Sequence, residues 1–371
     1  MLKKIIIDII YWFAFPSFRC IKLSDQTTKR EKIHSELEIL FDSSRYEIIP
    51  KVNRNNFFWL DFYKKPNRIN EVSYCLFLNV IIHFPSGAML TDSKKVIMDS
   101  VRARRFYLKQ TGIWKLLFKL VKKTEIYTAF SAIDVLGNNY YHFVIDVLTR
   151  FDTYEHFCET NPAPKVLVNK KTSRFQLEWL ELIGVPQKDI VELSADIKVN
   201  RAIVPSLKTS RFLTTKKEET YLLDYRGFEW LRKKVKSQLS SNYQTDKFVY
   251  ISRKNCQTRK VINETELQLY LMQEGFEVVI LEDLSVKRQL DIFCSAAKII
   301  AAHGAGLSNL IVSDNKCSVI ELFPNGRYVD CASIYFQITE RLKIRHKLIV
   351  CDTVDDKENM TVDLSTLKKH I

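Results

Sequence analysis

The sequence predicts an α/β protein made of two Rossmann-like domains that face each other across a cleft. Three observations carry this expectation. From Lys247 onward, short apolar runs alternate with helical patterns, an order that calls for parallel βαβ units under right-handed crossovers. A looser version of the same alternation runs from Tyr74 to Ser206. The chain has 371 residues, more than the roughly 250–300 at which single cores stop growing.

The elements follow in order. Residues 1–72 read as an N-terminal extension that includes an unassigned polar stretch, "RYEIIPKVNRNN". Its first residues, "MLKKIIIDIIYWFAFPSF", imitate a signal peptide, but Asp8 interrupts the apolar run and no small-residue cleavage site follows. The run is shorter than the ~20 residues a bilayer span needs, so an amphipathic or interfacial segment is expected. A first domain is expected over 73–210. It contains the strands "YCLFLNVIIHF" and "EIYTAFSAI", then "NYYHFVIDVLTRFDTYEHF" (139–157) as one helix capped by Asn138 or Asn139. The strand "PKVLVN", a helix ending at Gly184, and the strands "DIVELS" and "IKVNRAIVPS" complete it. Residues 211–240 read as a charged helical connector. The second domain, 241–352, holds five strands ("KFVYISR", "FEVVILED", "KIIAA", "CSVIELF", "RHKLIVCD") separated by four helical patterns. Residues 353–371 are expected to form a tail.

Composition narrows the partners. The formal charge of +14 favours anionic ligands or surfaces. Between Arg102 and Lys123 there are eight basic residues and no acidic one. Within that stretch, "GIWKLLFKLVKK" sets lysines at helical spacing against Trp114, Leu117, Phe118 and Val121. Such a helix lies on an anionic membrane surface, or packs on its own domain with solvated lysines. Eight cysteines without a C-x-x-C pair suit buried thiols in a reducing compartment better than a zinc site or a disulfide framework.

Ligands of open parallel sheets bind beyond the carboxyl ends of the strands. Three features fall there. His303-Gly304-Ala305-Gly306 follows the strand "KIIAA" and opens a helix; it is either a pyrophosphate site or a tight structural turn. "ISRKNCQTRKVINE" carries Arg253 and Arg259, with Asn263 and Glu264 at the next helix start. Arginine forks grip phosphate oxygens in pairs, although single surface arginines are often merely solvated. Glu321 ends the strand "CSVIEL", where it can accept hydrogen bonds from ribose hydroxyls, cap a helix or make a salt bridge. In the first half, His142, Asp146 and Arg150 recur at i, i+4 and i+8. They form a buried ion-pair ladder or line a cleft as a general base, with Asp146 and His142 as the candidates.

In order and spacing these motifs resemble glycosyltransferase family 61 over about residues 74–351. The residues that carry the resemblance are "NNYYHFVIDVLTRF", "YISRKNCQTRKVINETEL", "KRQLDIFCSAAKIIAAHGAGLSNLIV" and "SVIELFP". The resemblance implies a GT-B-like fold whose first domain faces the acceptor and whose second binds the nucleotide sugar. It implies inverting, metal-independent transfer to a glycan or lipid-linked glycan acceptor, with no cofactor and a nucleotide-sugar donor, taken as UDP-linked. Carried over, the family's arginine pair falls on Arg253 and Arg259, and its H-G-A-G-L turn on His303 to Leu307 with Asn309 just after. Its glutamate falls on Glu321 and its first-domain helix on Asn139, His142 and Asp146. Thr149 stands where bacterial members commonly have proline. Bacterial members act on surface and capsular polysaccharide precursors. Together with the thiols and the basic helix, this implies a cytoplasmic protein, peripheral at the inner face of the plasma membrane.

Independently, the sequence has no D-x-D triplet, the carboxylate pair by which metal-dependent sugar transferases typically hold a divalent ion on pyrophosphate. A nicotinamide dehydrogenase is excluded because no G-x-G-x-x-G follows the first strand of the second half. No nucleic-acid module is present, so nucleic acid is not an expected partner. The remaining alternative is a catalytically inactive glycan- or nucleotide-binding relative.

Overall fold

A computed structural model describes residues 29–35, 37–39, 43–49, 67–69, 72–84, 87, 89–90, 96–97, 124–213, 219–325 and 332–371. The expected interfacial segment at 1–18 and the basic helix at 102–123 lie outside the described residues. The fold is mixed α/β with two main sheets. Among the described residues, no helix is long and apolar enough to cross a membrane.

The first sheet has eight strands. Those used below are β1 (Lys29–His34), β3 (Val72–Ile82), β4 (Thr124–Ser131), β5 (Lys165–Asn169), β6 (Ile190–Leu193) and β7 (Ile197–Pro205). Their order is β6-β5-β4-β7-β3, parallel from β6 to β7, with β3 antiparallel to β7 and β1 antiparallel on β3. The second sheet has seven strands. Its parallel centre is β9 (Phe276–Val279), β8 (Lys247–Ile251), β10 (Ala296–Ala302), β11 (Ser318–Pro324) and β12 (Arg345–Thr353), in that spatial order. Every strand expected in 241–352 is therefore present, paired in parallel.

Residues 1–72, expected as a separate extension, contribute to both sheets. The strand β1 extends the first. Part of the unassigned polar stretch forms β2 (Tyr46–Ile49), which pairs in parallel with β12 in the second. The expected tail is also built in. Met360–Thr361 pairs with β12 and is followed by a short helix, Leu364–Lys368, whose Leu367 is buried.

Strand residues alternate between faces. In the second sheet Val249, Ile299 and Val319 share the largest apolar cluster, while Tyr250, Ile300 and Ile320 fill a second one on the other face. Phe130, Val166 and Ile203 of the first sheet join the same large cluster. One core is therefore shared by both sheets, while each closes a further cluster on its other face, around Ile300 in the second and Leu167 in the first. The expected helical connector begins with a hairpin, Thr209–Leu213 with Glu219–Leu223, and continues as a helix, Tyr225–Lys236. Phe228 and Leu231 of that helix lie in the shared core. Gly227 lets it close on the first half, since a Cβ there would sit 2.5 Å from the Thr149 carbonyl oxygen. Beneath it the fully buried Lys208 holds Asp152 at 2.5 Å.

The helix expected over 139–157 is irregular. His142–Val147 is a π-helix with an i→i+5 bond from the Leu148 N–H to the Phe143 carbonyl, and Leu148–Arg150 tightens to 3₁₀ before α1 (Phe151–Cys158). Asn139 starts it, its side-chain oxygen accepting the His142 N–H at 3.3 Å. The changed winding breaks the expected i, i+4, i+8 face. Arg150 faces Asp134 at 3.5 Å, while His142 faces Asp146.

Candidate active site

A cleft of about 580 Å³ opens between the two halves, within the roughly 300–1,000 Å³ of small-ligand sites. Its position follows from topology. The chain runs from β8 outward to β9, then returns to place β10 on the other side of β8. Crevices at such reversals, beyond the carboxyl ends of the strands, are where open α/β sheets bind ligands. Ile251, Ser252 and Arg253 at the end of β8 line the cleft, as do Ala301, Ala302 and Gly304 at the end of β10. The opposite wall is α2 (Arg174–Leu182) and the residues before it, with Asn139 and Tyr140.

Arg253 and Arg259 both line this cleft, with Gly304, Ala305 and Gly306. The glycines have a specific reason. A Cβ on Gly304 would lie 1.8 Å from Arg253 Nη1, and one on Gly306 would lie 2.6 Å from Leu281 Cδ1. Gly304 thus admits the Arg253 guanidinium close against the turn. Its backbone is extended, and the residues after it form a 3₁₀ helix, Ala305–Val312. Arg253 is fixed by its Nη2–H to the Thr258 carbonyl at 3.0 Å, and by the Glu264 carboxylate accepting its backbone N–H at 3.3 Å. Burial, with the Arg259 charge adding to it, pushes the Arg253 guanidinium below its ordinary pKa. Other arginines are paired (Arg150 with Asp134, Arg226 with Asp224, Arg341 with Glu229), but among the described residues no carboxylate pairs with Arg253 or Arg259. Glu282 acts on Arg253 only at longer range, and two like charges held together without an ion-pair contact favour an anion.

Arg259 has φ +56°, a left-handed conformation that costs a non-glycine residue of order 1–3 kcal/mol. The tail enforces it. The Arg259 N–H bonds the Lys357 carbonyl, the Lys260 N–H bonds Asn359 Oδ1, and the Met360 N–H bonds the Lys260 carbonyl.

His303 does not line the cleft; it is buried behind it. Its Nδ1 meets Glu321 Oε1, and His346 Nε2 lies 3.0 Å from Glu321 Oε2. Glu321, placed by sequence at a ribose, is 0% exposed with both oxygens facing imidazoles, so it cannot reach a nucleotide in the cleft. Burial raises its carboxyl, but the two histidines outweigh that and hold it at about 2. Burial lowers His303; Glu321 opposes this, and Arg259 and Arg253 reinforce it. A neutral His303 donating from Nδ1 keeps its lone pair on Nε2.

The second imidazole–carboxylate pair is on the first half. His142 Nδ1 lies 2.6 Å from Asp146 Oδ2, with side-chain exposures of 24% and 1%. Neither residue lines the cleft, but Tyr141, next to His142 in sequence, packs on a residue that holds the turn. The Tyr141 ring meets Tyr335 edge-on at 6.0 Å, and the Tyr335 hydroxyl donates to the Gly304 carbonyl at 2.6 Å. Tyr335 also packs on His303 at 5.3 Å. Sequence reading passed over Tyr335 because an aromatic in "SIYFQITERLK" is indistinguishable from core.

Three further expected residues support the site from outside the cleft lining. Asn263 clamps the tail, with Nδ2–H to the Val362 carbonyl and Oδ1 accepting the Val362 N–H. Glu264 accepts from the Tyr250 hydroxyl and the Arg253 backbone. Asn309 is fully buried and joins the halves: its Oδ1 accepts from the Tyr140 hydroxyl at 2.6 Å and its Nδ2 donates to Gln289 at 3.0 Å. Among the described residues no three His, Cys, Asp or Glu side chains converge as metal ligands.

An α/β cleft of this construction, with paired arginines over a strand-end glycine turn, has the charge and shape that suit an anionic ligand. Residues 140–320 match the family model Glycosyltransferase 61. No curated protein matches the sequence. The family-model match, over just under half of the chain, supports a member of glycosyltransferase family 61 and with it glycosyltransferase activity, with a sugar donor and a glycan acceptor as the general reactants.

Proposed function

We propose that the protein is an inverting, metal-independent glycosyltransferase of GT-B-like architecture. It moves a sugar from a UDP-linked donor to a hydroxyl of a glycan or lipid-linked glycan, in surface or capsular polysaccharide synthesis at the cytoplasmic face of the membrane. One observation carries the chemistry: Arg253 and Arg259 line a switch-point cleft without a carboxylate partner among the described residues, Arg253 lying against Gly304. Fixed cations positioned where leaving-group charge develops stabilise it without reorganisation, by roughly 3–4 kcal/mol per well-placed donor.

In the proposed step the acceptor oxygen attacks the anomeric carbon while its proton passes to His142 Nε2. The bond from that carbon to the phosphate oxygen breaks, and its electron pair leaves with the nucleoside diphosphate, held by Arg253 and Arg259. Attack opposite the leaving group inverts the centre. His142 is the more reachable base, because Asp146 is buried behind it; Asp146 fixes the Nδ1–H tautomer and stabilises the imidazolium. His303, oriented by Glu321, supports the turn next to the diphosphate.

The test is transfer from a panel of nucleotide sugars in EDTA, with product stereochemistry read by NMR. Turnover that persists in EDTA with inversion agrees with the proposal. Turnover abolished by EDTA and restored by Mg²⁺ or Mn²⁺ contradicts it.

A further inference from the structure

With Glu321 sequestered, the cleft needs another group to recognise the sugar of a nucleotide. We infer that Glu282 is the carboxylate that binds the ribose diol, an assignment that rests on the proposed nucleotide-sugar donor. Two carboxylates line the cleft, Glu178 and Glu282. Glu178 is engaged at both oxygens, Oε1 with Arg174 Nε at 2.5 Å and Oε2 with the Val286 N–H at 2.6 Å. Glu282 is exposed, and the partner it has is a thiol, Cys256 Sγ at 3.2 Å from Oε1. A thiol is a weak donor that hydroxyls replace readily.

Position agrees with this chemistry. Glu282 sits in the short turn Leu281–Asp283 directly after β9, the neighbour of β8 on the side away from β10. The strand-end loops therefore present, in order across the sheet, a carboxylate after β9, Arg253 after β8 and the glycine turn after β10. A nucleoside diphosphate laid along that row puts its ribose at Glu282 and its phosphates between the arginines and the turn. A carboxylate at the end of the second strand of a βαβ unit is well placed to accept two hydrogen bonds from vicinal hydroxyls. The same geometry gives specificity: a ligand without the diol leaves the carboxylate without its hydroxyl partners and next to a diphosphate.

The experiment is titration calorimetry on the full chain. UDP, GDP, CDP and ADP are screened first; the tightest is then compared with its 2′,3′-dideoxy form and with inorganic pyrophosphate, on wild type and Glu282→Gln. Loss of charged hydrogen bonds should weaken the ribonucleotide roughly 10- to 100-fold in Glu282→Gln. The dideoxy form and pyrophosphate should bind the variant as well as wild type or slightly better. Equal weakening of ribo and dideoxy forms, or no change in either, overturns the assignment while leaving the arginine site standing. Wild type that binds neither pyrophosphate nor any of the four nucleotides overturns both. Pyrophosphate binding by the variant doubles as the control that it is folded.

Discussion

The two imidazole–carboxylate pairs, His142–Asp146 and His303–Glu321, share a geometry but differ in surroundings. Each joins Nδ1 to a buried carboxylate and leaves Nε2 as the second ring nitrogen. His142 remains a quarter exposed beside a buried Asp146. His303 is buried, shares its carboxylate with His346, and lies within the field of Arg253 and Arg259. The difference supports the roles proposed for them. An imidazole with solvent access can receive a proton from an arriving hydroxyl, whereas one enclosed beside two cations supports a turn that faces anions.

The contrast can be broken in several places, and the largest effect should come from the arginines that separate the pairs. Arg253→Ala should lower kcat/KM by roughly 10³ or more, and Gly304→Ala should do much the same by driving the guanidinium out of place; kinetics with saturating acceptor decides. At His142–Asp146, His142→Ala is expected to lower kcat by about 10²–10⁴ with nucleotide affinity unchanged. Weakened nucleotide binding in that variant would instead put His142 at the donor. At the other pair, acid denaturation gives the sign. Glu321 is held at about 2 against 4.5 for a free carboxyl, so its contribution is complete above 4.5 and lost as pH falls towards 2. The size is of order 3 kcal/mol. Glu321→Gln should flatten the pH dependence of urea unfolding in that range; an unchanged profile would place the charge elsewhere. The smallest effect is expected at the link between halves. Tyr140→Phe removes the hydroxyl's bonds to Asn309 and Trp179 and should cost roughly 2 kcal/mol, read by urea unfolding.

Much of the architecture is legible in the chain because parallel βαβ units write a local signal. Alternating "KFVYI", "FEVV", "AAKIIAA", "SVIELFP" and "RHKLIVCDT" became the five central strands of the second sheet. What escaped was non-local. Nothing in "YEII" announces a partner 300 residues later, yet it pairs with β12. In the site, Arg253, Arg259 and the His303–Gly306 segment were marked by residue type and spacing, and the arginines with Gly304, Ala305 and Gly306 line one cleft. Burial was not legible. Glu321 and Asn309 look like binding residues in the sequence, and only the packing reveals that imidazoles and Tyr140 take up their polar atoms. Glu282 carried no signal, because the expected strand "FEVVILED" runs through it, whereas the strand ends at Val279 and Leu281–Asp283 turns away.

The most direct measurement is calorimetric binding of UDP in the presence of EDTA to wild type and to Arg259→Ala. Micromolar binding that survives chelation and falls by roughly 10-fold or more in the variant is the predicted result. Binding that requires Mg²⁺ or Mn²⁺, or that is indifferent to Arg259, would contradict the claim that paired arginines hold the departing diphosphate.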